Sequence, residues 1–121
     1  MPYICSHTDH YIGKKVGTGQ CVALVQAASM APNTGSWHTG IKVMSAGPGA
    51  IQKGTVIATM VDRHYPNHSH GNHAAIYLSH DHTGIQVVDQ WLGQAAHYRT
   101  IHDHGGIGSP SNDGSKFYVV E

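Results

Sequence analysis

The sequence predicts an α+β fold, and three observations carry that prediction. Residues 20–30 are rich in helix formers and apolar nearly all round. The periodic segments that follow are short and β-branched, as strands are. Fifteen glycines in 121 residues suit turns and close backbone approaches better than a helical bundle. The expected architecture is one domain over residues 1–121, a buried helix packed on one face of an antiparallel sheet.

Residues 1–19 read as a loop that ends in the flexible approach Val16-Gly17-Thr18-Gly19. The helix over 20–30 has Thr18 available as its N-cap and Pro32 as its stop, and its apolar circumference predicts deep burial. Residues 33–53 are rich in Gly, Ser and Pro, with Trp37 as an anchor. A central strand is expected over 55–61, then a polar loop over 62–72 that holds His64, His68 and His70. A second strand covers 73–78, a turn covers 80–84, and a third strand returns over 85–91. A weaker strand over 98–101, a Gly/Ser/Asn/Asp loop over 103–115 and a last strand over 116–120 complete the chain.

Composition narrows the function. Seven basic residues balance seven acidic ones and only 12% of residues are charged, so nothing electrostatic points to nucleic acid or an anionic membrane as partner. No apolar run approaches the roughly 20 residues that a membrane span needs. The first residues lack the basic and apolar regions of a secretory signal, which predicts synthesis in the cytoplasm or export by a route that reads no cleaved leader. Two cysteines, Cys5 and Cys21, are too few for a disulfide scaffold.

Cys21 falls in the first turn of the predicted helix, directly after the Gly-rich approach. A thiolate there feels the positive end of the helix dipole and unpaired backbone N–H groups, which lower a thiol pKa. The same N–H groups can hold the oxyanion of acyl transfer; Gly19 lets a carbonyl approach the backbone and Gln20 offers a side-chain amide. The competing role for Cys21 is that of a small buried hydrophobe. A thiol nucleophile also needs a base, and the base needs an orienting partner. Of twelve histidines, His73 alone opens an apolar strand, with the small Ala74 and Ala75 beside it to let a helix pack close. If the hairpin pairs about residue 81, Asp89 lies opposite His73; half a residue later, Gln90 does. Asp89 is the better chemical candidate because a carboxylate also stabilises the imidazolium.

The order Gly17-Thr18-Gly19-Gln20-Cys21-Val22-Ala23-Leu24-Val25-Gln26, then Gly54-Thr55-Val56-Ile57-Ala58, then Gly71-Asn72-His73-Ala74-Ala75-Ile76-Tyr77-Leu78 resembles the papain-like CHAP and NlpC-type cysteine amidases. Val87-Val88-Asp89-Gln90-Trp91 and the 116–120 ending look like the small amidase effectors of bacterial type VI secretion. The resemblance implies a papain-like fold and hydrolysis of peptidoglycan peptide bonds, with Cys21, His73 and Asp89 as nucleophile, base and orienter. Gly19, Gln20 and Gln90 then serve the oxyanion and substrate. It further implies action in a rival's periplasm and a cognate immunity protein, with no cofactor. Gly54-Thr55 departs from the family's Gly-Asp pattern at the start of the central strand.

The histidine-rich segment weighs separately. His64, His68, His70 and His73, with His80 and His82 near, have imidazoles that suit Zn, Cu or Ni, yet their spacing matches no zinc module. A solvated polar loop is the simpler expectation. Two alternatives to the enzyme are a histidine-rich metal-binding module and a papain-like cell-wall binding domain without catalysis.

Overall fold

A computed structural model of the chain describes residues 1–66, 68 and 71–121. One α-helix, α1 (Cys21–Ser29), precedes six strands: β1 (Thr39–Lys42), β2 (Val56–Thr59), β3 (Ala74–Asp81), β4 (Gly84–Trp91), β5 (Gln94–His102) and β6 (Phe117–Val120). They form one antiparallel sheet in the order β1-β6-β2-β3-β4-β5. The last strand is therefore inserted between β1 and β2.

α1 starts one residue later and ends one earlier than its sequence pattern predicts. Gln20, not Thr18, holds the N-cap position, and no side chain caps the helix there; Thr18 Oγ1 accepts instead from the Gln20 N–H at 3.4 Å. At the other end Met30 turns left-handed (φ 61°) and its N–H bonds Gln26 O at 2.9 Å. Deep burial is not what the helix shows. Only Leu24 and Val25 are fully buried, and Ala27 is exposed, because alanines on the outer face are apolar without needing cover. Trp37 is the anchor expected of it: it is buried and its Nε1–H donates to Pro32 O at 2.9 Å.

Both faces of the sheet are covered. Leu24, Val25 and Trp37 pack with Val56, Ala58, Ala74, Ile76 and Val88 on the helix side. On the other side Val43, Met44 and Ile51 close over Ile57, Ala75, Tyr77, Val87 and Phe117. Ala74 and Ala75 thus face opposite ways, as neighbours on a strand must, and only Ala74 meets the helix side. β2 is central as predicted, although it is shorter than 55–61.

Three differences concern strand length. β1 lies in the segment expected to be loop; it is a four-residue edge strand with a register irregularity, too short for a periodic signal. β3 runs on through His80 and Asp81, so the turn is only His82-Thr83, fastened by Asp81 Oδ1 accepting from the Thr83 N–H (2.8 Å) and Oγ1–H (2.6 Å). β5 covers nine residues rather than four. The amino-terminal segment is tied to β2: Cys5 N–H donates to Gly54 O at 2.8 Å and Val56 N–H to Tyr3 O at 2.9 Å. A Cβ on Gly54, whose φ is +98°, would fall 2.1 Å from Cys5 O, so this crossing requires glycine. Cys5 is buried there, and both cysteines are free thiols.

Candidate active site

Cys21 is the first residue of α1, and the turn before it is held from the sheet. Gln90 is fully buried on the helix side of β4. Its Nε2 donates to Val16 O (2.9 Å) and Gln20 O (2.8 Å), and its Oε1 accepts from the Val16 N–H (3.0 Å). Both N–H groups and the carbonyl are engaged, so Gln90 clamps residues 16–20, and it is Asp89 that bonds His73. Gly19 is buried within the same turn at φ +86°, a left-handed geometry that explains the glycine without a substrate. Gln20 is exposed and lines the cleft over Cys21.

His73 is fastened to β2 by its backbone: its N–H donates to Thr59 Oγ1 (3.0 Å) and its carbonyl accepts from the Thr59 N–H (2.9 Å). The β3–β4 hairpin settles on neither predicted register. Ile76 pairs with Val88 and Tyr77 with Val87, while a bulge before Ser79 shifts the tip to His80 with Ile85. Continued toward the open end, this register sets Ala75 against Asp89, so Asp89 reaches His73 diagonally. His73 Nε2–H donates to Asp89 Oδ2 at 2.7 Å, which leaves Nδ1 as the ring nitrogen available to the neighbouring Cys21 thiol. His73 thus stands between Cys21 and Asp89.

β5 completes the arrangement. Asp89 is wholly buried, and Arg99 reaches its Oδ2 through Nε (2.8 Å) and Nη2 (2.7 Å). The same guanidinium donates to Asn112 Oδ1 (3.1 Å) and Ser111 O (3.3 Å). His97, paired with Asp89 across β4–β5, brings Nε2 to 3.0 Å from Asp89 Oδ1 but is not aligned for a hydrogen bond.

The electrostatics separate charge along Cys21, His73 and Asp89. Burial opposes ionisation of Cys21, but the His73 hydrogen bond and charge, with the Ala74 N–H and Tyr65 hydroxyl, outweigh it and hold the thiol below its usual range. Burial likewise opposes the His73 imidazolium, and Asp89 together with the Cys21 thiolate outweighs it, so His73 is raised. Asp89 is kept low against its own burial by His73 and Arg99. Both shifts favour the thiolate–imidazolium pair over the neutral one.

The pair opens into a cleft of about 640 Å³ lined by Gln20, Cys21, Tyr65, Asn72, His73 and Trp91, among others. Three of the residues around the pair escape sequence reasoning. Arg99 and His97 share the Asp89 face of the sheet through the β4–β5 alternation, a signal hidden by the weak strand pattern of 94–102. Tyr65 sits in a loop that reads as polar filler. Among the described residues no group of three or more His, Cys, Asp or Glu could hold a metal ion; His70 lies outside them.

A helix-borne thiol against a strand-borne imidazole on an antiparallel sheet defines the class: a papain-like cysteine hydrolase. The chain belongs to the family described as "Dae2: Domesticated amidase effector 2", whose model matches residues 1–120. It is 35% identical over 135 residues to a "Type VI secretion amidase effector 2 protein" of Salmonella typhi, with all of both chains covered. To "Domesticated amidase effector 2" of Ixodes scapularis it is 35% identical over 123 residues, 97% of this chain and 83% of that one. A solved structure, "Type 6 secretion amidase effector 2 (Tae2)", superposes with a TM-score of 0.87 at 34% identity, covering 100% of this chain and 95% of the other. The papain-like fold and the peptidoglycan-degrading amidase class expected from the sequence both agree with this membership.

Proposed function

We propose that Cys21, His73 and Asp89 hydrolyse peptide bonds of bacterial peptidoglycan, with residues 1–121 acting as one catalytic domain. The Cys21 thiolate attacks the scissile carbonyl, forming a C–S bond while the carbonyl electrons move onto oxygen. N–H groups at the start of α1, with the Gln20 amide beside them, receive that charge. The His73 imidazolium gives its proton to the leaving amine as the C–N bond breaks. The neutral ring then takes a proton from water as the water oxygen bonds the thioester carbonyl; cleavage of the C–S bond frees the carboxylic product and restores the thiolate–imidazolium pair. Asp89 orients the ring and stabilises its charged form, and Arg99 holds Asp89 in turn.

The observation that carries this reading is His73, held by Asp89 at 2.7 Å and set beside Cys21, with the thiol lowered and the imidazole raised. The relatives' designation as type VI secretion effectors supports delivery into a rival bacterium, action in its periplasm and neutralisation by a cognate immunity protein. The bond is either the D-Ala–diaminopimelate cross-link or the D-Glu–diaminopimelate stem bond. Digestion of purified sacculi followed by mass analysis of the muropeptides tests activity and identifies the bond together. Cys21→Ala is expected to abolish product while the thermal melt stays cooperative; a Cys21→Ala protein with undiminished turnover overturns the reading.

A further inference from the structure

Tyr65 is the one aromatic hydroxyl among the described residues within reach of the reacting sulfur. Its Oη lies 3.8 Å from Cys21 Sγ, inside the range for hydrogen bonds to sulfur, and its side chain lines the same cleft as Cys21 and His73. The ring is not free to swing. It packs edge-on against Trp37 at 5.1 Å between centroids, and Trp37 is itself buried and tied to Pro32 O. Tyr65 thus stands on the Trp37 support and reaches the first residue of α1.

We propose that the Tyr65 hydroxyl is a catalytic hydrogen-bond donor, to the Cys21 thiolate in the resting enzyme and to the oxyanion formed when sulfur adds to the carbonyl. The inference rests on Cys21 being the nucleophile. When the thiolate is formed, the only proton available between the two atoms is the phenolic one, so the direction of the bond is fixed: oxygen donates. Burial, and after it the charge of Cys21, keep the phenol protonated far above the working range, so the donor is present at every relevant pH. In the tetrahedral adduct the negative oxygen sits two bonds from Sγ, closer to sulfur than Tyr65 Oη is. A short rotation of the O–H transfers the bond from sulfur to that oxygen, and charge is stabilised where it develops. The phenol keeps its proton throughout, so the proton taken by the leaving amine still comes from His73.

The test compares wild type with Tyr65→Phe, which keeps the ring on Trp37 and removes only the donor. Iodoacetamide alkylation of Cys21 is followed against pH, and muropeptide release is followed in parallel. The expected result is an alkylation midpoint moved upward by about one pH unit and a turnover reduced about tenfold or more. A purely structural Tyr65 moves neither. Should Tyr65→Phe lose its cooperative melt, 3-fluorotyrosine at the same position supplies a stronger donor of nearly the same shape and moves the midpoint downward. An unmoved midpoint, or turnover within twofold of wild type, overturns the proposal. Failure of the nucleophile reading looks different: Cys21→Ala then stays active, whatever Tyr65 does.

Discussion

Two buried histidines stand at opposite ends of one strand, seven residues apart, and their partners give them opposite work. His73, at the start of β3, has a carboxylate on one nitrogen and a thiol at the other. Both partners favour the charged ring. His80, near its end, has the Ala46 carbonyl at 2.8 Å from Nε2 and the Tyr77 hydroxyl at 2.5 Å from Nδ1. A carbonyl can only accept, so Nε2–H donates to Ala46 O, while Nδ1 pairs with the Tyr77 hydroxyl. Burial is therefore common to both sites and decides nothing; the neighbours do. One ring is held ready to move a proton, and the other pins residue 46 to the sheet.

Substitutions break this contrast in a graded way. His73→Ala should lower turnover by about a thousandfold or more, since it removes both general acid and base, with the melt still cooperative. Residual activity near wild type in a sacculus assay would end the assignment. Asp89→Asn comes next, at about a hundredfold, and changes the pH profile. The rate needs thiolate and imidazolium together, so its alkaline limb follows loss of the His73 proton. Asp89 raises the folded pKa of that ring, hence its loss moves the alkaline limb to lower pH. An unmoved limb would show that Asp89 does not act through His73.

The same raised pKa has a stability consequence of fixed sign. The His73–Asp89 contribution is fully present below the unfolded histidine pKa of about 6.5 and is lost as pH rises through the higher folded value. The gap between urea melts of wild type and Asp89→Asn should accordingly narrow at alkaline pH, down to what the Arg99–Asp89 pair contributes. His80→Ala has the smallest effect on turnover, within a fewfold, but it leaves the Tyr77 hydroxyl and Ala46 carbonyl without their partner. It should cost about 1–3 kcal/mol of unfolding free energy, read as a lower urea midpoint. A large loss of activity at unchanged stability would erase the distinction between the two rings.

How much of this could be read from the chain follows from the range of each interaction. The helix start and the His73 strand were legible because glycine, helix formers and β-branched runs act locally. Cys21 and His73 could be paired before any coordinates existed. The orienter could not, since the bulge between Tyr77 and Ser79 changes the register by one residue and nothing local announces it. The bonds of Gln90 were hidden for the same reason: it faces the helix, and in sequence nothing distinguishes a polar residue with three internal hydrogen bonds from one free to bond elsewhere. Arg99 and Tyr65 act across more than forty positions or between sheet neighbours, beyond any window of periodicity. The over-predicted burial of α1 came from reading alanine as a core residue when it is also a good surface one.

The position of β6 bears on when the enzyme comes into being. Residues 117–120 are synthesised after every other strand, yet they fill the gap between β1 and β2, and Phe117 packs its ring edge-on to His73 at 6.3 Å. A nascent chain still lacking those residues cannot close its sheet, and β1 has no neighbour to pair with. Such pairing between distant stretches is a slow, late event in folding. A partly made chain on the ribosome therefore holds Cys21 and His73 before the strand that packs Phe117 against His73 exists.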